Sequence, residues 1–175
     1  PSAFYNAPSM GGETPGIYYI PLRNLGERTE IDLPTQDFHE AVPGHHFQVS
    51  IQQELESLPR FRRFEGNVSY DEGWALYAES LGRELGLFTD PMQWYGRLSD
   101  EMLRAMRLVV DTGLHDQGWS REQAIRYMQE NSSLAATDIE AEVERYIVVP
   151  GQALGYKIGD LRIQGLRRRA EAELG

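Results

Sequence analysis

No cysteine occurs anywhere in this sequence of 175 residues. That excludes disulfide staples, thiolate metal sites and cysteine nucleophiles together, though it leaves the compartment open. Uninterrupted apolar runs are also missing. The longest are short and broken by charge, so no segment is expected to span a bilayer. Basic residues are in the minority, 17 Lys and Arg against 27 Asp and Glu, for a formal net charge of −10. A surface of that sign repels phosphate backbones, which argues against nucleic acid as a partner. A starting Met and a signal peptide are absent too. The opening PSAFYNAPSMGGETPGIYYIPL reads like the middle of a protein, so a fragment or a processed chain is expected, with localisation, cytoplasmic or exported, left open.

What remains is enough for one compact domain, 1–175, with a hydrophobic fraction of 41%. Residues 1–36 are rich in Gly, Pro, Asn and Ser. Within them the run Gly16 to Pro21 reads as one strand, with Pro21 at an edge or a strand end. Everything beyond reads as helix. The expected helices are Gln36–Leu58, distorted at Pro43-Gly44; Tyr70–Leu85, closed by Gly86; and Pro91–Leu114. In the last of these, Met92, Tyr95, Leu98, Met102, Met106, Val109 and Val110 make one apolar stripe. Ser120 with Gln123 and Thr137 with Glu140 are capping-box patterns, opening helices to Met128 and Val148. A final helix follows Pro150-Gly151 and runs to about Leu174. The fold class is mostly α, with a small β element near the N-terminus.

The chemistry concentrates in His39-Glu40-Ala41-Val42-Pro43-Gly44-His45-His46. Zinc hydrolases of the familiar kind place two His at i and i+4 with a Glu between them as general base. Here i+4 is Pro43, and the next candidate is His45 at i+6. Six residues of regular helix turn a side chain by roughly 240° and raise it by about 9 Å, so His39 and His45 would point apart. Pro43-Gly44 is the dipeptide that breaks the ladder and tolerates unusual dihedrals, and a bulge there would bring His45 to the place of an i+4 residue. His46, at i+7, is the rival ligand. A catalytic zinc needs a third protein ligand and an open position. Glu72 and Glu79, seven apart on one face of an otherwise apolar helix, call for buried partners. Glu72 is the expected third ligand, and Glu79 or Asp71 the group that orients a ligating His. Two His and one Glu suit a single Zn2+ best among divalent ions.

Four segments, HEAVPGHHFQ at 39–48, DEGWALYAESLG at 71–82, RLVVDTGLHDQGWS at 107–120 and ERYIVVPGQALGYKIGDL at 144–161, together resemble the bacterial domain-of-unknown-function 885 family. That family looks related to gluzincin-type zinc peptidases, and the resemblance runs from about residue 5 to the end. It implies a zincin-like metallopeptidase helical domain with a small edge sheet. Asp71-Glu72-Gly73-Trp74-Ala75 is similar to the group's helix carrying the third zinc ligand. The group's usual first motif has His at i+4, whereas this chain has the longer Pro-Gly version. Family members are usually much longer, so the chain resembles only their C-terminal catalytic portion, which implies a helical N-terminal region walling the cleft as a partner of this portion.

The expected function is zinc-dependent hydrolysis of peptide or small amide substrates. Glu40 acts as general base, and Tyr156, or alternatively His115, as the donor to the oxyanion. Arg145, with apolar neighbours in sequence, is expected to pair with a carboxylate, either of a substrate or of the protein, Asp111 for instance; Lys157 is a second candidate for binding substrate. Arg107 is expected to be structural. Tyr18 and Tyr19 lie on the strand that an extended peptide could pair with. The alternative from another class is a non-catalytic zinc-containing binding or scaffold module, which would keep His39, His45 and Glu72 but have no need of Glu40.

Overall fold

A computed structural model describes residues 3–20, 22 and 31–175. The strand expected at 16–21 is β2 (Ile17–Tyr19). It pairs antiparallel with β1 (Phe4–Asn6), Tyr5 opposite Tyr18, and Phe4 stacks on Tyr19 at 4.7 Å. Pro21, expected at the strand end, lies outside the described residues.

Helices follow in the order α1 (Leu33–Glu40), α2 (His45–Glu54), α3 (Arg60–Phe64), α4 (Val68–Glu84), α5 (Pro91–His115), α6 (Arg121–Asn131) and α7 (Ala136–Val148). A 3-10 turn (Gln152–Leu154) then leads into α8 (Gly155–Leu174). The expected single helix over 36–58 is in fact two, α1 and α2, with residues 41–44 between them. Pro43 supplies no donor to an intrahelical ladder, and Gly44 is buried where a Cβ would run into the carbonyls of Phe38 and His39. The short helix α3 carries no apolar period that would announce it.

Capping is mostly local. Asn67 caps α4 by accepting from Tyr70 N, and Ser120 with Gln123 forms the expected capping box on α6. Thr137 does not cap α7. The cap residue is Ala135, without a side-chain bond, and Thr137 already lies inside the helix.

Two packing units set the site. One is the apolar cluster of Met106, Val110, Ala124, Met128, Ile139, Val143, Tyr146 and Ala153, which binds α5, α6, α7 and the 3-10 turn. The other is the α4–α8 pair, the most extensive helix contact among the described residues. It is close because a Cβ on Gly73 would meet the Gly159 backbone, and one on Gly159 would meet the carbonyl of Ser69.

The stripe on α5 divides. Met106 and Val110 are buried, but Met92, Tyr95, Leu98, Met102 and Val109 are 38–52% exposed. The inward face carries Arg97, Arg107 and Asp111, all buried. Buried charge is tolerated there because each guanidinium has a carboxylate, Arg97 with Glu101 and Arg107 with Glu142.

Candidate metal centre

His39 and Glu40 occupy the last turn of α1, and His45 opens α2. The chain break between them turns the two imidazoles toward each other, edge to face at 89° with ring centres 4.8 Å apart. The Val42–Pro43 peptide is cis, and Trp74 Nε1 of α4 donates to the Pro43 carbonyl at 2.8 Å, tying the break to the helix that carries Glu72.

Glu72 completes the group. Its Oε2 lies 3.5 Å from Nε2 of His39 and 3.5 Å from Nε2 of His45. One ligand atom from each of the three residues falls within 4.8 Å of the others. Around a tetrahedral ion with bonds of about 2.0–2.1 Å, ligand atoms stand roughly 3.3 Å apart, so the donor set and its spacing fit a zinc-sized cation after small side-chain adjustment. His46 goes elsewhere. Its Nδ1 lies 3.0 Å from the hydroxyl of Tyr5 on β1, and the two rings meet edge to face. The ring thus fastens the small sheet to α2.

Behind this group, His39 Nδ1 donates to Glu79 Oε1 at 2.7 Å, and Glu79 is fully buried. Asp71, the other candidate for orienting a ligand, is not the residue hydrogen-bonded to His39. Burial by itself would lower the basicity of His39, but Glu72 and Glu79 outweigh it and push its pKa up to about 9. Burial pushes the Glu72 carboxyl up, but His39 and His45 outweigh it and hold Glu72 well below the usual carboxylate range. Glu40 moves the other way: burial raises its pKa, with nearby His39 and His45 opposing and Glu72 reinforcing.

Around the expected Tyr156, the sequence reading missed Gln152 and Arg104. Gln152 Nε2 donates at 3.4 Å both to Glu72 Oε1 and to the hydroxyl of Tyr156. Tyr156 also lies parallel to His39, ring centres 6.3 Å apart. Arg104, from α5, stands 3.9 Å from Glu79 Oε1 and is paired with Asp100. Its guanidinium and that of Arg107 sit over the Tyr156 ring at 6.0 and 4.5 Å. Arg97, Arg104, Arg107 and Asp111, at spacings of seven, three and four, mark the helical face that carries these groups; that periodicity is the signal that could have found Arg104.

The remaining candidates separate. Arg145 donates to Gln152 Oε1 at 2.7 Å and to Tyr156 at 3.4 Å, beside the cluster. It is not paired with Asp111, whose oxygens accept from Gly151 N at 3.0 and 3.2 Å. Lys157 is held between Glu101 and Asp160, so its charge is met within the protein. The Nε2 of His115 donates to the Tyr146 carbonyl at 2.9 Å, a bond that joins the end of α5 to α7.

The profile described as "Bacterial protein of unknown function (DUF885)" matches residues 1–175. The chain belongs to the DUF885 family. Two solved structures share the DUF885 fold seen here. One is "the putative lipoprotein from Colwellia psychrerythraea", at 49% identity and a TM-score of 0.96 over the whole of this chain. The other, described the same way and as of unknown function, is from Shewanella oneidensis, at 23% identity and a TM-score of 0.83. This chain spans 30% and 34% of their lengths. No curated protein matches it. Among the described residues, no helix is long and apolar enough to cross a membrane.

Proposed function

We propose that this DUF885 chain is a zinc-dependent hydrolase of peptide or peptide-like amide bonds, related to the gluzincin-type peptidases and zincin-like in fold. The observation that carries the reading is the meeting of His39, His45 and Glu72 around one point, with Glu40 adjoining. Zinc held there would supply a Lewis acid for the scissile carbonyl and a water acidified toward a pKa of about 7.

The protein's own groups account for the rest. Glu79 holds the His39 ring with Nε2 toward the shared point, since its carboxylate accepts a hydrogen bond from Nδ1–H. Glu40 takes the proton from the attacking water and delivers it to the departing amine. Its raised pKa suits a group that must both accept and release a proton. The Tyr156 hydroxyl, beside Gln152 and Arg145, is the candidate donor to the oxyanion. A buried glutamate next to three ligands has no use in a purely structural zinc site, which disfavours the scaffold alternative.

The two solved relatives bear lipoprotein descriptions, and an exported location is proposed for this chain on that likeness. In longer homologues, a helical region outside this portion is proposed to wall the cleft.

The test is a Glu40→Gln variant, made in the 175-residue chain and in a full-length homologue. It should bind zinc as the parent does and lose hydrolysis of a peptide library by about 100-fold or more. Zinc binding with undiminished hydrolysis would remove Glu40 from the chemistry. Absence of any zinc binding by the parent would remove the reading altogether.

A further inference from the structure

We infer that the Arg145 guanidinium, held by the Gln152 amide oxygen and the Tyr156 hydroxyl oxygen while the hydroxyl's own proton is kept for the oxyanion, forms a subsite for a carboxylate, so that the substrates are short peptides or N-acyl amino acids with a free C-terminal carboxylate. This rests on the hydrolase reading of the same site and specifies its substrate class.

The argument begins with charge. Arg104, Arg107 and Arg145 reach the ring or hydroxyl of Tyr156, and Lys157 follows it in the chain. Lys157 is enclosed by Glu101 and Asp160. Arg104 has Asp100 at 2.9 Å and Glu79 beyond. Arg107 has both Nε and Nη2 on Glu142 Oε2, at 3.1 and 2.8 Å, and its side chain is only 6% exposed. Arg145 differs. Its nearest carboxylate oxygen is Glu142 Oε1, 3.7 Å from Nη1, well beyond a charge-assisted bond of about 2.7–2.9 Å. The Glu142 charge is drawn to the other side, where its Oε2 accepts from Arg107 and from the Tyr146 hydroxyl. Two guanidinium groups therefore share one carboxylate, and one positive charge is left over.

The leftover charge is reachable. The Arg145 side chain is 39% exposed, against 14% for Arg104. The groups its Nη2 does touch, the Gln152 amide oxygen and the Tyr156 hydroxyl, are neutral. Gln152 in turn reaches Glu72, so only one side chain separates the guanidinium from a proposed metal ligand. A planar fork with an unspent charge, beside a hydroxyl and at the edge of the site, matches a carboxylate in two-point contact. An internal peptide segment offers no such charge, which sets exopeptidase or dipeptidase action above cleavage within long chains.

The test compares acetyl-Phe-Ala as the free acid and as the C-terminal amide. Binding of both is measured by calorimetry to the Glu40→Gln protein, with and without zinc, and hydrolysis of both is measured with the parent. The acid should be preferred by about 10- to 100-fold, the range of a charge-assisted pair. Arg145→Met should bring the acid-to-amide ratio to within about twofold, Arg145→Lys should keep part of it, and Arg121→Met, on the exposed Glu144 pair, should keep all of it. Equal handling of acid and amide by the parent overturns the subsite while leaving the hydrolase intact, and so does a ratio that Arg145→Met does not move. An acid preference in binding that depends on Arg145, with neither compound hydrolysed, supports the subsite and sinks the hydrolase reading instead.

Discussion

The carboxylate of Glu79 accepts the Nδ1 proton of His39 across 2.7 Å of fully buried space, 40 residues away in sequence. The bond keeps a proton on Nδ1, so that Nε2 is the nitrogen whose proton a metal would displace, and it fixes the ring plane. Arg104 stands 3.9 Å from the same oxygen, Glu79 Oε1, and compensates part of its charge.

Replacing Glu79 should therefore weaken zinc binding without removing a ligand. Glu79→Ala is expected to lower affinity by about 10- to 100-fold, and Glu79→Gln by less, since its amide oxygen can still accept from Nδ1. Competition with a chromophoric chelator measures both. Unchanged affinity in Glu79→Ala would detach the bond from metal binding.

His45 and His46 are neighbours in sequence with separate tasks. Zinc at about 100 times its dissociation constant should stabilise the parent by about 2.7 kcal/mol, seen as a rise in Tm that a chelator reverses. His45→Ala, His39→Ala and Glu72→Ala should lose that rise. His46→Ala should retain it while loosening the contact with Tyr5. The opposite pattern for the two histidines would make His46 the ligand.

Gly159 lets α8 approach the turn of α4 that carries Glu72. A methyl group there meets the Ser69 carbonyl and the Gly73 backbone, neither of which is a flexible side chain. Gly159→Ala should cost about 1–3 kcal/mol in denaturant unfolding and weaken zinc binding as α4 shifts. Loss of stability with zinc affinity intact would show that the helix spacing is not what places Glu72.

Glu142 supplies a pH dependence away from His39, His45 and Glu72. Burial pushes its pKa up, but Arg107 and the Tyr146 hydroxyl outweigh burial and hold it below the ordinary value. A carboxylate depressed in the folded state adds stability that is complete above the unfolded pKa, about 4.3, and is lost as pH falls through the folded value. Urea unfolding of the parent should thus weaken on acidification below about pH 4.5. Glu142→Gln should lower stability near pH 7 by about 2 kcal/mol, between an exposed and a buried pair, and flatten that decline. An identical slope in parent and variant would assign the acid sensitivity to other groups.

Much of the centre could be read in the linear order of residues. Pro43-Gly44 inside a histidine cluster announces a broken helix, and two acids on one face of an apolar helix announce buried partners, because backbone dihedrals and helical phase depend on residues a few positions away. The same locality accounts for the Ser120 cap and for the strand at Ile17–Tyr19. Other features depended on packing between distant segments. A distorted helix and two separate helices need the same Pro-Gly signal, and the choice came from Gly44 lying against the carbonyls of Phe38 and His39 and from Trp74 holding the Pro43 carbonyl. The period of α5 marks an apolar face but not which face turns inward; carboxylates from other helices let its arginines occupy the interior. Arg145 found Gln152 and Tyr156 instead of Asp111, which the Gly151 amide had already engaged. Side-chain pairing across 30 to 80 residues is a competition among all the groups that folding brings within reach, and local sequence carries no record of its outcome.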